Sequence, residues 1–78
     1  MSNESILNRV IELFSTMTEA EEITADSEVM EDLEISSMDI LFLIASLEEE
    51  FKINVIEKRM YQIVTVGDVA DIIADLME

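Results

Sequence analysis

The sequence predicts an all-α fold, a small bundle of three main helices with a short further helix set third in the chain. Three observations lead there. Apolar residues recur at three- and four-residue spacing through most of the chain, as a buried helix face requires. No proline and only one glycine occur in its 78 residues. Two hydroxyl residues, Ser36 and Thr65, are each followed three positions later by an acid, the signature of a helix start. The length allows one small domain, expected to span residues 1–78. No internal repeat, linker or low-complexity segment divides it.

The first helix is expected from about Asn3 to Met17, where Ile6, Leu7, Val10, Ile11, Leu13, Phe14 and Met17 make one broad stripe. From Thr18 to Ser36 the periodicity lapses. Acids alternate irregularly with Ile23, Val29, Met30, Leu33 and Ile35, which predicts a long loop pinned to the core by those aliphatics. A loop of this length in so small a domain is often functional. The second helix opens at Ser36-Ser37-Met38-Asp39, a capping box with Asp in the place of Glu, and runs to about Glu50. Asp39 in its first turn suits the helix dipole. A short helical turn is expected near Glu57–Tyr61. The last helix opens at Thr65-Val66-Gly67-Asp68 and carries Val66, Val69, Ile72, Ile73, Leu76 and Met77 towards the chain end.

Charge narrows the function. Nineteen Asp and Glu face four Lys and Arg, with no histidine, for a net charge of −15. Half the residues are hydrophobic, so this is no disordered acidic tail. Such a charge argues against nucleic acid and anionic membranes as direct partners and favours basic protein surfaces. Self-repulsion favours a monomer. The lack of His and Cys removes disulfides, the usual zinc sites, cysteine nucleophiles and Ser-His triads. The runs Glu19-Ala20-Glu21-Glu22 and Glu48-Glu49-Glu50 read as solvated faces, and neither matches a calcium loop with its central glycine. No metal site and no enzymatic activity are expected. The N-terminal stretch lacks a basic region followed by a long apolar run. The longest uncharged apolar stretch, Ile40 to Leu47, is too short to span a membrane. The expected location is the cytoplasm.

The second helix carries two apolar stripes. Ile40, Leu43, Ile44, Leu47 and Phe51 are spaced as a core face. Met38, Leu41, Phe42 and Ala45 lie about 150° away, and Glu48 and Glu49 continue that second face. Either this helix is central and buried all round, or the second stripe is an exposed docking patch flanked by acids. The second is the expectation, because a bundle of three main helices rarely buries any helix completely. Ser37 sits in the first turn, where an attached anion would meet free N–H groups and the positive end of the helix. Serines are common at helix starts, so position alone assigns it nothing.

The run Glu31-Asp32-Leu33-Glu34-Ile35-Ser36-Ser37-Met38-Asp39, continued by Leu47-Glu48-Glu49-Glu50-Phe51, resembles the core of an acyl carrier protein. That family typically reads Glu-Asp-Leu-Gly-x-Asp-Ser-Leu-Asp, then an aliphatic helix, then Leu-Glu-Glu-Glu-Phe. Thr65-Val66-Gly67-Asp68 is similar to the opening of the family's last helix. The resemblance covers essentially the whole chain and implies an acyl-carrier-like four-helix bundle. It also implies a 4′-phosphopantetheine arm, taken from coenzyme A and esterified to Ser37 by a holo-carrier synthase (a phosphopantetheinyl transferase). The arm's thiol would hold acyl intermediates as thioesters for partner enzymes of fatty-acid or polyketide-type biosynthesis, the chemistry lying with the cofactor and partners.

By the same resemblance, acyl-loading and acyl-processing enzymes with basic patches would dock on Met38, Asp39, Leu41, Phe42, Ala45, Glu48 and Glu49. An acyl pocket would be lined by Leu47, Met60, Ile63, Val69 and Ile73. Three departures stand out. Ser36 replaces the family's Asp, Glu34 its Gly, and Phe42 a frequent acid. Glu34 makes any left-handed turn there costlier. Phe42 trades steering charge for an anchor that loses its water on contact. They suggest a specialised carrier with a dedicated set of partners. The alternative is an unmodified, carrier-like module that binds a basic partner through the second helix.

Overall fold

A computed structural model of the chain describes residues 3–77. Met1, Ser2 and Glu78, which the expected span of 1–78 includes, lie outside the described residues. Four helices follow one another: α1 (Asn3–Ser15), α2 (Ser37–Phe51), α3 (Glu57–Met60) and α4 (Val66–Met77). Among the described residues the extended backbone pairs only as a single antiparallel bridge, Glu28 with Thr65.

Helix α1 turns Ile6, Val10 and Phe14 inward and packs along α4, which contributes Val66, Val69, Ala70, Ile72 and Ile73. α1 stops two residues short of Met17 because the N–H groups of Thr16 and Met17 donate to Leu13 and Phe14, tightening the last turn. The Thr16 hydroxyl also donates to the Leu13 carbonyl. Helix α2 lays Ile40, Leu43, Ile44 and Leu47 into the same core. It ends where Lys52 adopts a left-handed conformation, φ 59°, one residue beyond the expected end. α3 buries no residue at all, which leaves space beside it.

The long loop is pinned by Val29, Leu33 and Ile35, all buried. Met30 departs from expectation, being 55% exposed. The Asp32 and Leu33 N–H groups donate to the Glu28 carbonyl, and the Asp32 carboxylate accepts from the Glu28 N–H. That turn sets Val29 and Leu33 inward, four apart, and sends Met30 out. The loop is tied to the start of α4 by Val29 N–H to Val64 O, Val66 N–H to Ser27 O and Gly67 N–H to Ala25 O, at 2.9, 3.0 and 2.8 Å. A Cβ on Gly67 would lie 3.0 Å from that Ala25 oxygen, so glycine permits the approach.

Glu34 stands in the left-handed region, φ 54°, two residues before α2 is capped. Such a conformation costs a residue with a Cβ about 1–2 kcal/mol, part of which glycine returns as unfolded-state entropy. Glu34→Gly is therefore expected to stabilise the bundle by about 0.5–1 kcal/mol, raising Tm by roughly 2–8 °C. Glu34→Ala, which removes the charge but keeps the strain, serves as the control in the same thermal melts. A glycine variant no more stable than the alanine variant would remove strain as the cause.

Candidate functional site

Two adjacent serines open α2, and the backbone gives them different work. Ser36 is the N-cap, with φ −76° and ψ 164°. Its Oγ accepts the Asp39 N–H at 3.2 Å and donates to the Asp39 carboxylate at 3.1 Å. The Ser36 hydroxyl is thus committed in both directions. Ser37 is the first helical residue and is exposed. Within the helix neither its N–H nor that of Met38 has a carbonyl one turn back, so an anion on the Ser37 hydroxyl meets donors and the positive end of the dipole.

Beside Ser37 lies an open groove of about 460 Å³. Ile40 and Leu41 form its α2 wall, Glu57 and Met60 belong to α3, Tyr61 and Ile63 follow α3, and Met30 reaches in from the long loop. The Tyr61 hydroxyl donates to Glu57 at 2.8 Å, a bond that raises the phenol above its ordinary pKa. Of the five expected pocket residues, Met60 and Ile63 line this groove. Leu47, Val69 and Ile73 do not. They are 0%, 0% and 1% exposed, at the centre of the core, because they lie on the inward stripes of α2 and α4. Beside α3, space opens towards the start of α2. The sequence offered no sign of Met30, whose loop has no period to place it.

The second stripe of α2 is exposed: Met38 is 63%, Leu41 49% and Phe42 67% accessible, and Ala45 and Glu49 are exposed beside them. The all-round buried reading of α2 is thereby excluded. Asp39 and Glu48 are half-buried, and the Glu48 carboxylate accepts the Val55 N–H at 2.8 Å. That bond closes the turn after α2, a role the sequence pattern did not reveal. Two of the cations are spent internally. Arg9 makes a two-pronged bond to Glu50, both arms 2.7 Å, and a third to Glu12 at 2.8 Å. The Arg9 hydrogen bond holds the Glu50 carboxyl below its usual range. Arg59 pairs with Asp75 at 3.1 Å. Among the described residues no cluster of three or more acids is arranged to hold a metal ion. Nor is any helix long and apolar enough to cross a membrane.

Residues 8–73 match the family described as phosphopantetheine attachment site. An acyl carrier protein of Borreliella burgdorferi (strain ZS7) is 37% identical over 75 residues, 94% of each chain. The chain belongs to the acyl carrier protein family. An acyl carrier protein of Helicobacter pylori is 39% identical over 57 residues, 73% of each chain. Among solved structures, an acyl carrier protein from Enterococcus faecalis superposes with a TM-score of 0.83 at 26% identity, covering 97% of this chain and 99% of that one. One from Thermotoga maritima, 22% identical, shares the fold with a TM-score of 0.83, covering 99% and 92%.

The cofactor of this acyl carrier is 4′-phosphopantetheine, and the opening of α2 suits it. An accessible hydroxyl stands at the positive end of a 15-residue helix, beside a groove with an apolar wall. The family is one of carriers rather than catalysts.

Proposed function

We propose that this chain, acting as one carrier domain in the cytoplasm, bears its 4′-phosphopantetheine arm on Ser37 and carries acyl intermediates as thioesters. The single observation that carries the choice of serine is the hydrogen bonding at the start of α2. Ser36 gives its proton and a lone pair to Asp39, while Ser37 is exposed. In loading, the Ser37 oxygen forms a bond to the phosphorus of the coenzyme A phosphopantetheine, 3′,5′-ADP leaves, and a base of the transferase takes the hydroxyl proton. When attached, the arm supplies the thiol that holds an acyl group.

The chain's own residues then do three things. The N-terminal turn of α2 stabilises the phosphodiester. Ile40, Leu41, Met60 and Ile63 offer an apolar wall on which an acyl chain can lie, removed from water. Met38, Asp39, Leu41, Phe42, Ala45 and Glu49 form the face presented to transferase and acyl-processing enzymes, with acids to attract their basic patches. Glu48 joins that face through whatever part of its half-buried carboxylate stays open. Fatty-acid or polyketide-type biosynthesis is the setting this chemistry fits. The match to an attachment-site family supports a carrier over an unmodified binding module.

The test is intact mass after incubation with coenzyme A, Mg2+ and a phosphopantetheinyl transferase. The wild-type chain and Ser36→Ala are expected to gain one phosphopantetheinyl group, and Ser37→Ala none. A gain kept in Ser37→Ala and lost in Ser36→Ala would move the arm to the other serine.

A further inference from the structure

The groove beside Ser37 has a polar edge as well as an apolar wall. Glu57, Met60 and Tyr61 stand three and four positions apart, so they share one side of α3, and all three line the groove. Ile40, Leu41 and Ile63 complete the wall with Met60. No Lys or Arg lines it. Lys58 is next to Glu57 in the chain but is not part of the lining, and Arg59 turns away to Asp75 of α4. Once the Ser37 oxygen is esterified, the polar side chains left in the groove are Glu57 and Tyr61. The Tyr61 proton is already given to Oε1 of Glu57 at 2.8 Å, so this edge can only accept. A carboxylate has room for about four hydrogen bonds, and among the described residues Tyr61 supplies one. At about 460 Å³ the groove falls within the roughly 300–1,000 Å³ of small-molecule sites.

We infer that Glu57 selects the cargo: the groove favours acyl groups whose apolar body carries a hydrogen-bond donor, an ammonium before a hydroxyl, and disfavours those that carry a carboxylate. The inference rests on Ser37 bearing the arm, because an arm tethered there sets its acyl group beside this groove. A plain alkyl chain lying on the wall strips water from the Glu57 carboxylate and returns nothing. A hydroxyl restores a lost bond, and an ammonium restores it with a charge-assisted one. A carboxylate brings a like charge to Glu57 in a chain of net charge −15 and is repelled. Apolar walls on one side keep water away, so these forces exceed those at an open surface.

The experiment loads the apo chain, with Mg2+ and a phosphopantetheinyl transferase, from four coenzyme A thioesters of equal chain length that end in methyl, hydroxyl, ammonium or carboxylate. Release of each acyl group by hydroxylamine is followed by intact mass, and each rate is divided by that of the same acyl group on free pantetheine. The wild-type chain is expected to protect the ammonium-bearing group about three- to tenfold better than the methyl one. The hydroxyl falls between them and the carboxylate is protected least. Glu57→Gln is expected to erase both the ammonium advantage and the carboxylate penalty, with Tm nearly unchanged because the residue is exposed. Glu21→Gln, which removes the same charge from an exposed loop position outside the groove, keeps both. Protection that rises with cargo hydrophobicity alone, or that Glu57→Gln leaves unmoved, would overturn the selection and leave the attachment serine standing. A wild-type chain that takes no arm at all would overturn both.

Discussion

Phe14→Ala is expected to lower the unfolding free energy by about 3–5 kcal/mol, the largest loss foreseen from any single truncation in this chain. Phe14 is 0% exposed and is the bulkiest of the fully buried side chains. It sits on the inward stripe of α1, the helix that packs along α4. Removing the ring forfeits its transfer from water and leaves a void that α1 cannot close without dragging Val10 and Ile6 with it. A chain of this size has only about 4–12 kcal/mol to lose, so the variant is expected to be partly unfolded at physiological temperature. Urea denaturation followed by circular dichroism measures it. A midpoint shift worth less than 1 kcal/mol at unchanged slope would show that the core collapses around the missing ring.

Asp68→Ala ranks second, with an expected loss of about 2 kcal/mol. The Asp68 carboxylate accepts the Val64 and Thr65 N–H groups, each at 2.9 Å, while the Thr65 hydroxyl accepts the Asp68 N–H at 3.2 Å. This reciprocal cap also holds the turn to which the long loop is tied through Val29 and Val64. The Thr65 N–H, helped by those of Val64 and the Thr65 hydroxyl, keeps the Asp68 carboxyl below its usual range against the opposing effect of burial. The sign follows. Because the folded value is depressed, the stabilisation is complete above the unfolded value of about 3.9 and is lost as pH falls through the folded one. Glu50, lowered by Arg9, acts in the same direction. Repulsion within a net charge of −15 acts oppositely, easing as other carboxylates take protons. The stability gap between wild type and Asp68→Asn should thus be full near about pH 6 and shrink as pH falls below the unfolded value of about 3.9. Parallel acid limbs for the two proteins in pH-dependent denaturation would contradict the cap.

Most of the architecture was legible because it rests on local rules. A period of 3.6 residues placed Ile6, Val10 and Phe14 on one stripe of α1 and Ile40, Leu43, Ile44 and Leu47 on one stripe of α2, and those residues are the buried ones. Ser36 with Asp39 and Thr65 with Asp68 announced two helix starts, and both pairs make their capping bonds. Where helices end was less legible, since the close of α1 depends on a hydroxyl and backbone in a turn where Met17 still continues the apolar spacing. The cost foreseen for a left-handed Glu34 is present in its φ of 54°.

The site divides along the same line. Sequence by itself determined that two serines open α2, that an apolar stripe lies away from the core face, and that neither His nor Cys is on hand for chemistry. Each follows from residue identity and helical period alone. The tertiary structure added that the Ser36 hydroxyl, already marked as the cap by its spacing to Asp39, also donates to that carboxylate. Only it decided that Met30 and Tyr61 border the groove with Met60 and Ile63. The same holds for Glu48 bonding to Val55 and for Arg9 joining Glu50 forty-one positions away. Apolar character says that a side chain avoids water. Which neighbour shields it depends on how helices far apart in the chain are laid together, and no local pattern encodes that.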